Sequence, residues 1–187
     1  MEHKNKQRKL SQFISLILRH KPEVIGITLD KNGWADVSEL IAGIRDSGKE
    51  INMEILEEIV KTDNKGRYSF NDNKTKIRAN QGHSISVDVG LQKLIPPDIL
   101  YHGTASHTLE SIKSTGVKSM KRLYVHLSKD IETAIKVGSR HGKPCVLEID
   151  AKQMHDEGVA FYRSENGVWL TKYIDWKYVK NVHFNMA

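Results

Sequence analysis

The sequence predicts an α+β protein built from two lobes within a chain of 187 residues. Three features predict it: helical periodicity in the first half, a Pro-Pro pair near the middle, and short apolar runs in the second half. Pro96-Pro97 marks a linker, which we place at residues 91–97, between an N-terminal lobe at 1–90 and a C-terminal lobe at 98–187.

The first lobe begins with an amphipathic helix. Apolar residues recur at intervals of three and four, the spacing of one helix face, at Leu10, Phe13, Ile14, Ile17 and Leu18. Pro22 prevents the helix from continuing, because proline lacks the backbone N–H that the next turn needs. Arg19 and His20 therefore fall in the last turn.

Two further helices and a hairpin follow in the first lobe. Asp36 with Glu39 three residues later forms a capping-box pattern, and Asn52 can cap the third helix. Alternating runs at residues 67–70 and 75–78 flank a turn-rich segment, which predicts a β-hairpin. Arg67 and Ser69 would share the face opposite to Tyr68 and Phe70. Three helices followed by a hairpin wing predict a winged-helix lobe.

The second lobe is predicted to be rich in strands. Strand-like runs occur at Ile99–His102, Tyr124–Leu127, Cys145–Asp150 and Val168–Leu170. Ser106 or Thr108 can cap one helix that ends at Gly116, and Ser128 can cap another. The pattern indicates a mixed α+β lobe.

Composition narrows the class of protein. The formal net charge of +6 favours an anionic partner. A single cysteine, Cys145, cannot form an internal disulfide, and no apolar run reaches membrane-spanning length, so we expect a cytoplasmic protein without a signal peptide. Nine histidines show no H-x-x-x-H spacing, and we expect no metal site.

The basic pair Arg19-His20 has two interpretations. Basic side chains at a helix C-terminus interact favourably with exposed carbonyl groups and the helix dipole, which requires no ligand. The pair can instead bind phosphate if other cations converge on it, and Arg67 and Arg122 are candidates. Arginine suits this task because its planar fork binds two phosphate oxygens and stays charged.

Several segments of the second lobe also have two interpretations, as part of a ligand site or as ordinary structure. His102-Gly103-Thr104 ends an apolar strand, where glycine would let a ligand approach the backbone, although a simple turn explains the pattern equally well. The loop Gly138–Gly142, with Arg140 and His141, could wrap a diphosphate, but no phosphate-loop signature accompanies it. His126 faces away from its apolar neighbours, toward water or a pocket.

Several short segments occur in a characteristic order along nearly the whole chain. They are Leu10-Ser11-Gln12-Phe13, Leu18-Arg19-His20-Lys21-Pro22, Gly33-Trp34, Lys65-Gly66-Arg67-Tyr68-Ser69, Gln81-Gly82-His83-Ser84, Leu100-Tyr101-His102-Gly103-Thr104, Tyr124-Val125-His126-Leu127-Ser128, Val137-Gly138-Ser139-Arg140-His141-Gly142 and Asn166-Gly167-Val168-Trp169-Leu170-Thr171. Each is weak alone. The series in this order closely resembles the RNA 2′-phosphotransferase family, whose bacterial members are the KptA-type enzymes.

The resemblance implies an N-terminal winged-helix lobe and a C-terminal ADP-ribosyltransferase-like lobe, with the active site between them. It implies catalytic roles at the RNA 2′-phosphate for Arg19, His20, Arg67 and Arg122, and RNA contacts for Lys65, Arg78, Gln81 and His83. It assigns NAD binding to His102, Gly103, Thr104, His126, Ser128, Gly138, Arg140, His141, Gly142 and Val168. The third signature position, often a glutamate in the wider superfamily, is Val168 here.

The family reaction implied is attack of an RNA 2′-phosphate on the nicotinamide ribose of NAD, followed by release of 2′-hydroxyl RNA and ADP-ribose 1″,2″-cyclic phosphate. An RNA-phospho-ADP-ribose intermediate links the two steps. A phosphate monoester is largely dianionic at neutral pH, so it needs no glutamate as general base. The resemblance also implies a tRNA-like substrate, a role in tRNA splicing and a monomeric enzyme.

Two other functions remain open from the sequence. A winged-helix regulator would bind nucleic acid through a basic recognition helix, but the third helix carries Glu54, Glu57 and Glu58. The second alternative keeps the fold and NAD and transfers ADP-ribose to a terminal phosphate of nucleic acid.

Overall fold

The structure is a computed structural model that describes residues 2–184. Contacts within the chain divide it into two compact units, residues 1–90 and 91–187. Each unit has its own apolar core, and no buried residue belongs to both cores. The mixture of helices and antiparallel strands in both units confirms the α+β class.

The first unit contains three helices and one small sheet. Its elements are α1 (Glu2–Arg19), β1 (Trp34–Asp36), α2 (Val37–Asp46), α3 (Met53–Thr62), β2 (Tyr68–Phe70) and β3 (Lys76–Ala79), with a 3-10 turn at Pro22–Ile25. The strands are antiparallel in the order β1-β3-β2. The sheet therefore adds a strand, β1, to the predicted hairpin.

The helix boundaries of this unit follow their capping residues. α1 ends at Arg19, as Pro22 predicts, and its apolar face packs into the core. The carboxylate of Asp36 accepts hydrogen bonds from the backbone N–H groups of Ser38 and Glu39, and Asn52 caps α3 in the same way. Both capping predictions are confirmed.

The second unit is built from short antiparallel strands and three short helices. In chain order they are β4 (Gln92–Lys93), β5 (Ile99–Ala105), α4 (Leu109–Thr115), β6 (Val117–Lys118), β7 (Val125–Leu127), α5 (Ile131–Gly138), β8 (Pro144–Asp150), α6 (Ala151–Asp156), β9 (Tyr162–Arg163), β10 (Trp169–Thr171), β11 (Tyr173–Ile174) and β12 (Val179–Phe184). The strands form sheets in the orders β4-β9-β10-β7, β12-β8-β5 and β11-β6. All four strand-like runs of the sequence become strands.

Two capping predictions in this unit are wrong. Asp130, not Ser128, caps α5 by accepting a hydrogen bond from the backbone N–H of Thr133. Ser128 instead pairs with Tyr101 through two backbone hydrogen bonds that join β7 to β5. The Thr108 hydroxyl donates backward to the carbonyl of Ala105 and caps no N–H group of α4.

The sequence placed Gln92–Lys93 in the linker. In the structure these residues form β4, which pairs with β9.

Gly103 and Gly138 bring β5 and α5 into close contact. A Cβ atom at Gly103 would collide with the carbonyl oxygen of Ala134 in α5, and one at Gly138 would lie 2.6 Å from the carbonyl oxygen of Thr104. Both positions require glycine because backbone lies against backbone. The close approach at Gly103 is thus made by a helix, and the predicted contact of Gly103 with a ligand stays a prediction.

No helix between residues 2 and 184 is both long and apolar enough to cross a bilayer. Over the same residues, no group of three or more histidine, cysteine, aspartate or glutamate side chains is arranged to hold a metal ion.

We expect Gly103→Ala to destabilise the protein by about 3 kcal/mol or more, because overpacking against the rigid α5 backbone cannot be relieved by a side-chain rotation. Thermal or urea unfolding measures the loss. Gly158→Ala is the matched control: Gly158 has a positive φ of 93° but open space around its Cβ direction. Its cost should be about 1 kcal/mol. Equal losses in the two variants would contradict the packing role of Gly103.

Candidate functional site

A cluster of cationic side chains forms at the C-terminal end of α1. The backbone carbonyl of Arg19 accepts a hydrogen bond from the N–H of Ser84 at 3.0 Å, and His20 Nδ1 lies 2.9 Å from Ser84 Oγ. Gly82 lies beside the Arg19 side chain, where a Cβ atom would be in van der Waals contact with the guanidinium at 3.6 Å. The segment 80–84 is therefore folded against the helix end that carries the basic pair.

His83 lies buried within this cluster, with 3% of its surface exposed. Its burial, together with the positive charges of Arg19, His20 and Arg78, lowers the pKa of His83 to about 4. The imidazole is consequently neutral at physiological pH. Positive charges thus act on one buried neutral ring, an arrangement complementary to an anion such as phosphate.

Arg78 reaches the cluster from β3. Its guanidinium lies over the ring of Trp34, 4.5 Å from the ring centroid, and the strand register places Trp34 directly opposite Arg78. This contact holds the guanidinium in one orientation. Trp34 belongs to β1, the strand that the sequence did not predict, so its orienting role could not be inferred from the pattern.

The polar atoms next to His83 are partly unsatisfied by protein groups. Gln81 Oε1, Asn80 Oδ1 and His83 Nε2 are buried without a hydrogen-bond partner among the described residues. Asn80 also donates through Nδ2 to the carbonyl of Gly66 at 2.8 Å, so its orientation is fixed. Buried polar atoms that lack protein partners are costly and are concentrated where ligands or water bind.

Arg67 differs from its predicted placement on the open hairpin face. It precedes β2, and its guanidinium forms an ion pair with the buried carboxylate of Asp63, the C-cap residue of α3. Its backbone carbonyl accepts a hydrogen bond from Asn80 N–H at 2.8 Å, next to Gln81. About a third of the Arg67 side chain is exposed, in a cleft of about 820 Å³ that Ser11 and Ser15 of α1 also line.

Asp63 is a functional neighbour that sequence reasoning missed. Its spacing of four residues before Arg67 was the available signal, because an acidic and a basic side chain at that separation commonly pair. Lys65 lies exposed in the turn between α3 and β2.

In the second unit, two histidines of the predicted NAD site are linked. His102 on β5 lies with Nδ1 3.0 Å from the carbonyl oxygen of His126 on β7. Because a carbonyl only accepts, Nδ1 carries the proton and Nε2 carries the lone pair. Burial lowers the pKa of His102, although the His126 hydrogen bond opposes the shift, which favours the neutral form.

Arg122 contacts the second of these histidines. Its guanidinium lies 2.8 Å from His126 Nδ1, which must accept because guanidinium groups only donate. Desolvation and, second, repulsion from Arg140 lower the pKa of Arg122 below its usual value, yet arginine remains charged. Neither guanidinium has a carboxylate partner within residues 2–184. Two adjacent unneutralised guanidiniums favour an anionic ligand.

Six further residues of the predicted NAD site fall into two groups. Arg140, His141 and Gly142 lie in an exposed turn between α5 and β8, where a ligand can reach them. Gly103 and Gly138 are used in packing, and the hydroxyl of Thr104 is bonded to that of Thr108 at 2.9 Å. These three residues are therefore engaged in packing or in an internal hydrogen bond.

The strand register also relates Val168 to His126. His126 is opposite Leu170 across the β7–β10 pair, and Val168 precedes Leu170 by two residues. Residues two apart in a strand share a face, so Val168 and His126 lie on one side of the sheet. Ser128 lies two residues beyond His126 and faces the same side.

Comparison with known proteins places the chain among phosphate-transferring enzymes. The family described as "RNA 2'-phosphotransferase, Tpt1 / KptA family" matches residues 5–173. A "Probable RNA 2'-phosphotransferase" of Fusobacterium nucleatum is 61% identical, over 92% of this chain and 97% of the relative. Proteins of the same name from Flavobacterium johnsoniae and Hahella chejuensis are each 49% identical, covering 95% and 93% of this chain and 98% and 94% of the relatives.

We expect His83 to make the stability of the protein depend on pH. Its pKa in the folded protein, about 4, lies below the value in the unfolded chain. The unfolded state therefore takes up a proton first, and stability is lost as the pH falls from about 6.5 toward about 4. From about pH 7.5 to about pH 5, unfolding free energy should fall by about 2 kcal/mol more in the wild type than in His83→Gln.

Urea unfolding at a series of pH values measures this difference. The comparison with His83→Gln removes the contributions of all other titrating groups, which the two proteins share. Parallel stability curves for the two proteins would show that His83 titrates normally and that the cationic cluster does not act on it.

Proposed function

The chain belongs to the RNA 2'-phosphotransferase, Tpt1 / KptA family, and from this premise we propose that it transfers an internal RNA 2′-phosphate to NAD. The products would be 2′-hydroxyl RNA, nicotinamide and ADP-ribose 1″,2″-cyclic phosphate. The observation that carries the proposal is the convergence of Arg19, His20 and Arg78 on a buried neutral His83. That arrangement suits a dianionic phosphate.

Arg19 and Arg67 are proposed to bind and orient the phosphate. A phosphate monoester has a second pKa of about 6, so at neutral pH it is largely a dianion and is already a nucleophile. The protein need only hold it in position and limit its approach to one direction. Arg67 donates one of its five N–H groups to Asp63, and the other N–H groups are donors for phosphate oxygens. The contact with Asp63 also restricts the orientation of the guanidinium.

His20 is proposed to supply a proton when the RNA 2′-oxygen departs. Its contact with the Ser84 hydroxyl fixes the ring orientation, and the ordinary pKa of histidine lies near neutrality. Arg78, Gln81 and His83 are proposed to contact RNA around the phosphate, with Lys65 farther along the strand. The polar atoms of Gln81 and Asn80 suit hydroxyl or base donors of RNA better than they suit phosphate, because both are acceptors.

The second unit is proposed to bind NAD, and its residues fit that ligand. When bound, NAD supplies a ribose carbon that can accept the phosphate while nicotinamide leaves. Arg140, His141 and Gly142 are suited to the diphosphate, and the lone pair at His102 Nε2 is suited to a ribose hydroxyl. His126, Ser128 and Val168 share the sheet face beside them. Gly103, Thr104 and Gly138 would act by packing.

Arg122 is proposed to act on the transferred phosphate. The contact with His126 orients its guanidinium, and neighbouring Arg140 raises the local positive potential. Charge accumulates on the phosphoryl oxygens during transfer, and fixed cations stabilise that state more than the ground state. The buried free thiol of Cys145 suits a reducing compartment, and we propose a cytoplasmic enzyme acting on tRNA-like RNA.

Duplex recognition by the first unit is a less favoured function. The exposed side of α3 carries Glu54 and Glu58, whose charges would repel phosphate groups in a DNA or RNA groove. Arg19, His20 and Arg78 instead act together on His83 near the end of α1, which favours binding of a single phosphorylated site.

We expect the protein to release nicotinamide from NAD only when the RNA carries an internal 2′-phosphate. Matched oligoribonucleotides with a 2′-phosphate, with a terminal phosphate or with neither, incubated with and without NAD, provide the test. Release with the terminal phosphate alone would favour ADP-ribosylation of nucleic-acid ends. No release with any of the three would overturn the proposal.

Arg122→Ala should lower the rate of phosphate transfer by about 100-fold or more, because a donor that acts on developing charge is lost. The dissociation constant of NAD should change far less. Single-turnover kinetics and equilibrium binding separate the two effects, and Arg122→Lys tests whether charge without the planar fork suffices. Lys180→Ala, an exposed cation of β12, is the control. A loss of NAD affinity alone would contradict the role given to Arg122.

A further inference from the structure

One face of the sheet β4-β9-β10-β7 carries aromatic and cationic side chains that the sequence did not single out. His126 is opposite Leu170, Leu170 is opposite Tyr162, and Tyr162 is opposite Lys93. Residues directly opposite one another in antiparallel strands point to the same side. His126, Tyr162 and Lys93 therefore share one face.

Tyr124 and Lys172 extend this face. Tyr124 precedes His126 by two residues, and its ring meets that of Tyr162 edge to face, with centroids 5.5 Å apart and planes inclined at 61°. Lys172 Nζ lies 3.9 Å from the centre of the Tyr124 ring. Both tyrosines are only partly buried. We name Tyr124, Tyr162, Lys93 and Lys172 the tyrosine face.

The tyrosine face adjoins a side chain proposed to bind phosphate. Arg122 contacts His126 at 2.8 Å, and Tyr124 lies between these two residues in the chain. A guanidinium proposed to bind phosphate and an aromatic ring are thus two residues apart in the segment that leads into β7. This combination matches a nucleotide, whose phosphate and base are separated by one sugar.

We propose that the tyrosine face stacks a nucleobase of the molecule whose phosphate Arg122 binds. This inference rests on the proposed function for the identity of that molecule, and RNA is the source favoured by the two lysines. Lys93 and Lys172 are exposed cations that can pair with flanking backbone phosphates, as in sequence-tolerant binding of single strands. Lys172 leaves the Tyr124 ring when a base takes its place.

The physical basis is stacking on a ring that is already oriented. The edge-to-face contact with Tyr162 restricts the Tyr124 ring, so a base that stacks on it does not have to order it first. Base–aromatic stacking is tolerant of sequence because every base has a planar face. The site would therefore select unpaired over paired nucleotides without selecting a particular base.

Equilibrium binding, measured without turnover, tests the tyrosine face. The probes are a 2′-phosphorylated trinucleotide, the same trinucleotide with an abasic ribose at the phosphorylated position, an unphosphorylated trinucleotide, and ADP-ribose. Tyr124→Leu and Tyr162→Leu remove the rings, and Tyr124→Phe and Tyr162→Phe keep them. Phe184→Leu, which removes an exposed aromatic ring from β12 in another sheet, is the control. Thermal unfolding of each variant checks the fold.

We expect each Leu variant to bind the phosphorylated trinucleotide about 10-fold or more weakly, whereas the Phe variants and the control bind within about twofold of the wild type. The abasic probe should bind the Leu variants and the wild type equally. A loss confined to ADP-ribose would support the stacking surface and assign it to a base of NAD. Unchanged binding of all probes, or equal loss for the abasic probe, would overturn the proposal.

The unphosphorylated trinucleotide separates this inference from the proposed function. If the wild type fails to prefer the 2′-phosphorylated probe, the assigned reaction is in doubt. The Leu variants would still bind the unphosphorylated probe more weakly than the Phe variants if the tyrosine face stacks bases.

Discussion

The electrostatic arrangement around His83 is the constraint on which the first unit depends. Arg19, His20 and Arg78 act on a ring that is almost completely buried, and together with burial they hold its pKa near 4. The fold positions these side chains through several contacts. Gly82, with a positive φ of 87°, turns the chain beside Arg19, Ser84 binds both residues at the helix end, and Trp34 supports Arg78.

In the second unit, close packing of the β5 and α5 backbones positions the residues proposed to bind NAD. Glycines at 103 and 138 let β5 and α5 touch without side chains between them. The turn that carries Arg140 and His141 begins where α5 ends, and His102 precedes Gly103 in β5. The contact between β5 and α5 therefore positions His102 and the start of the turn that carries Arg140 and His141, all of which are proposed to bind NAD. Strand pairing between β7 and β10 fixes a third group, which includes His126 and Val168.

Local sequence patterns predicted the helices and strands better than they predicted which residues contact one another. The apolar stripe of α1, its end before Pro22, and the caps at Asp36 and Asn52 depend on residues within one or two turns, and all were predictable. Arg67 was assigned to an open strand face, but its partner Asp63 lies in the preceding turn. The β1 strand and the tyrosine face depend on pairing between distant segments, which no single-sequence periodicity encodes. Asp130 displaced Ser128 as a cap because Ser128 is engaged in strand pairing.

NMR titration of His83, in the free protein and in the protein saturated with a 2′-phosphorylated nucleotide, tests the anion site at the end of α1. The pKa of His83 in the free protein should be about 4. Binding should raise that pKa above its free-protein value, because the ligand's negative charge offsets the cations, whereas burial of the ring still holds it below the ordinary histidine value. A free-protein pKa already near the ordinary value, or one that the saturating ligand leaves unchanged, would contradict an anion site at the end of α1.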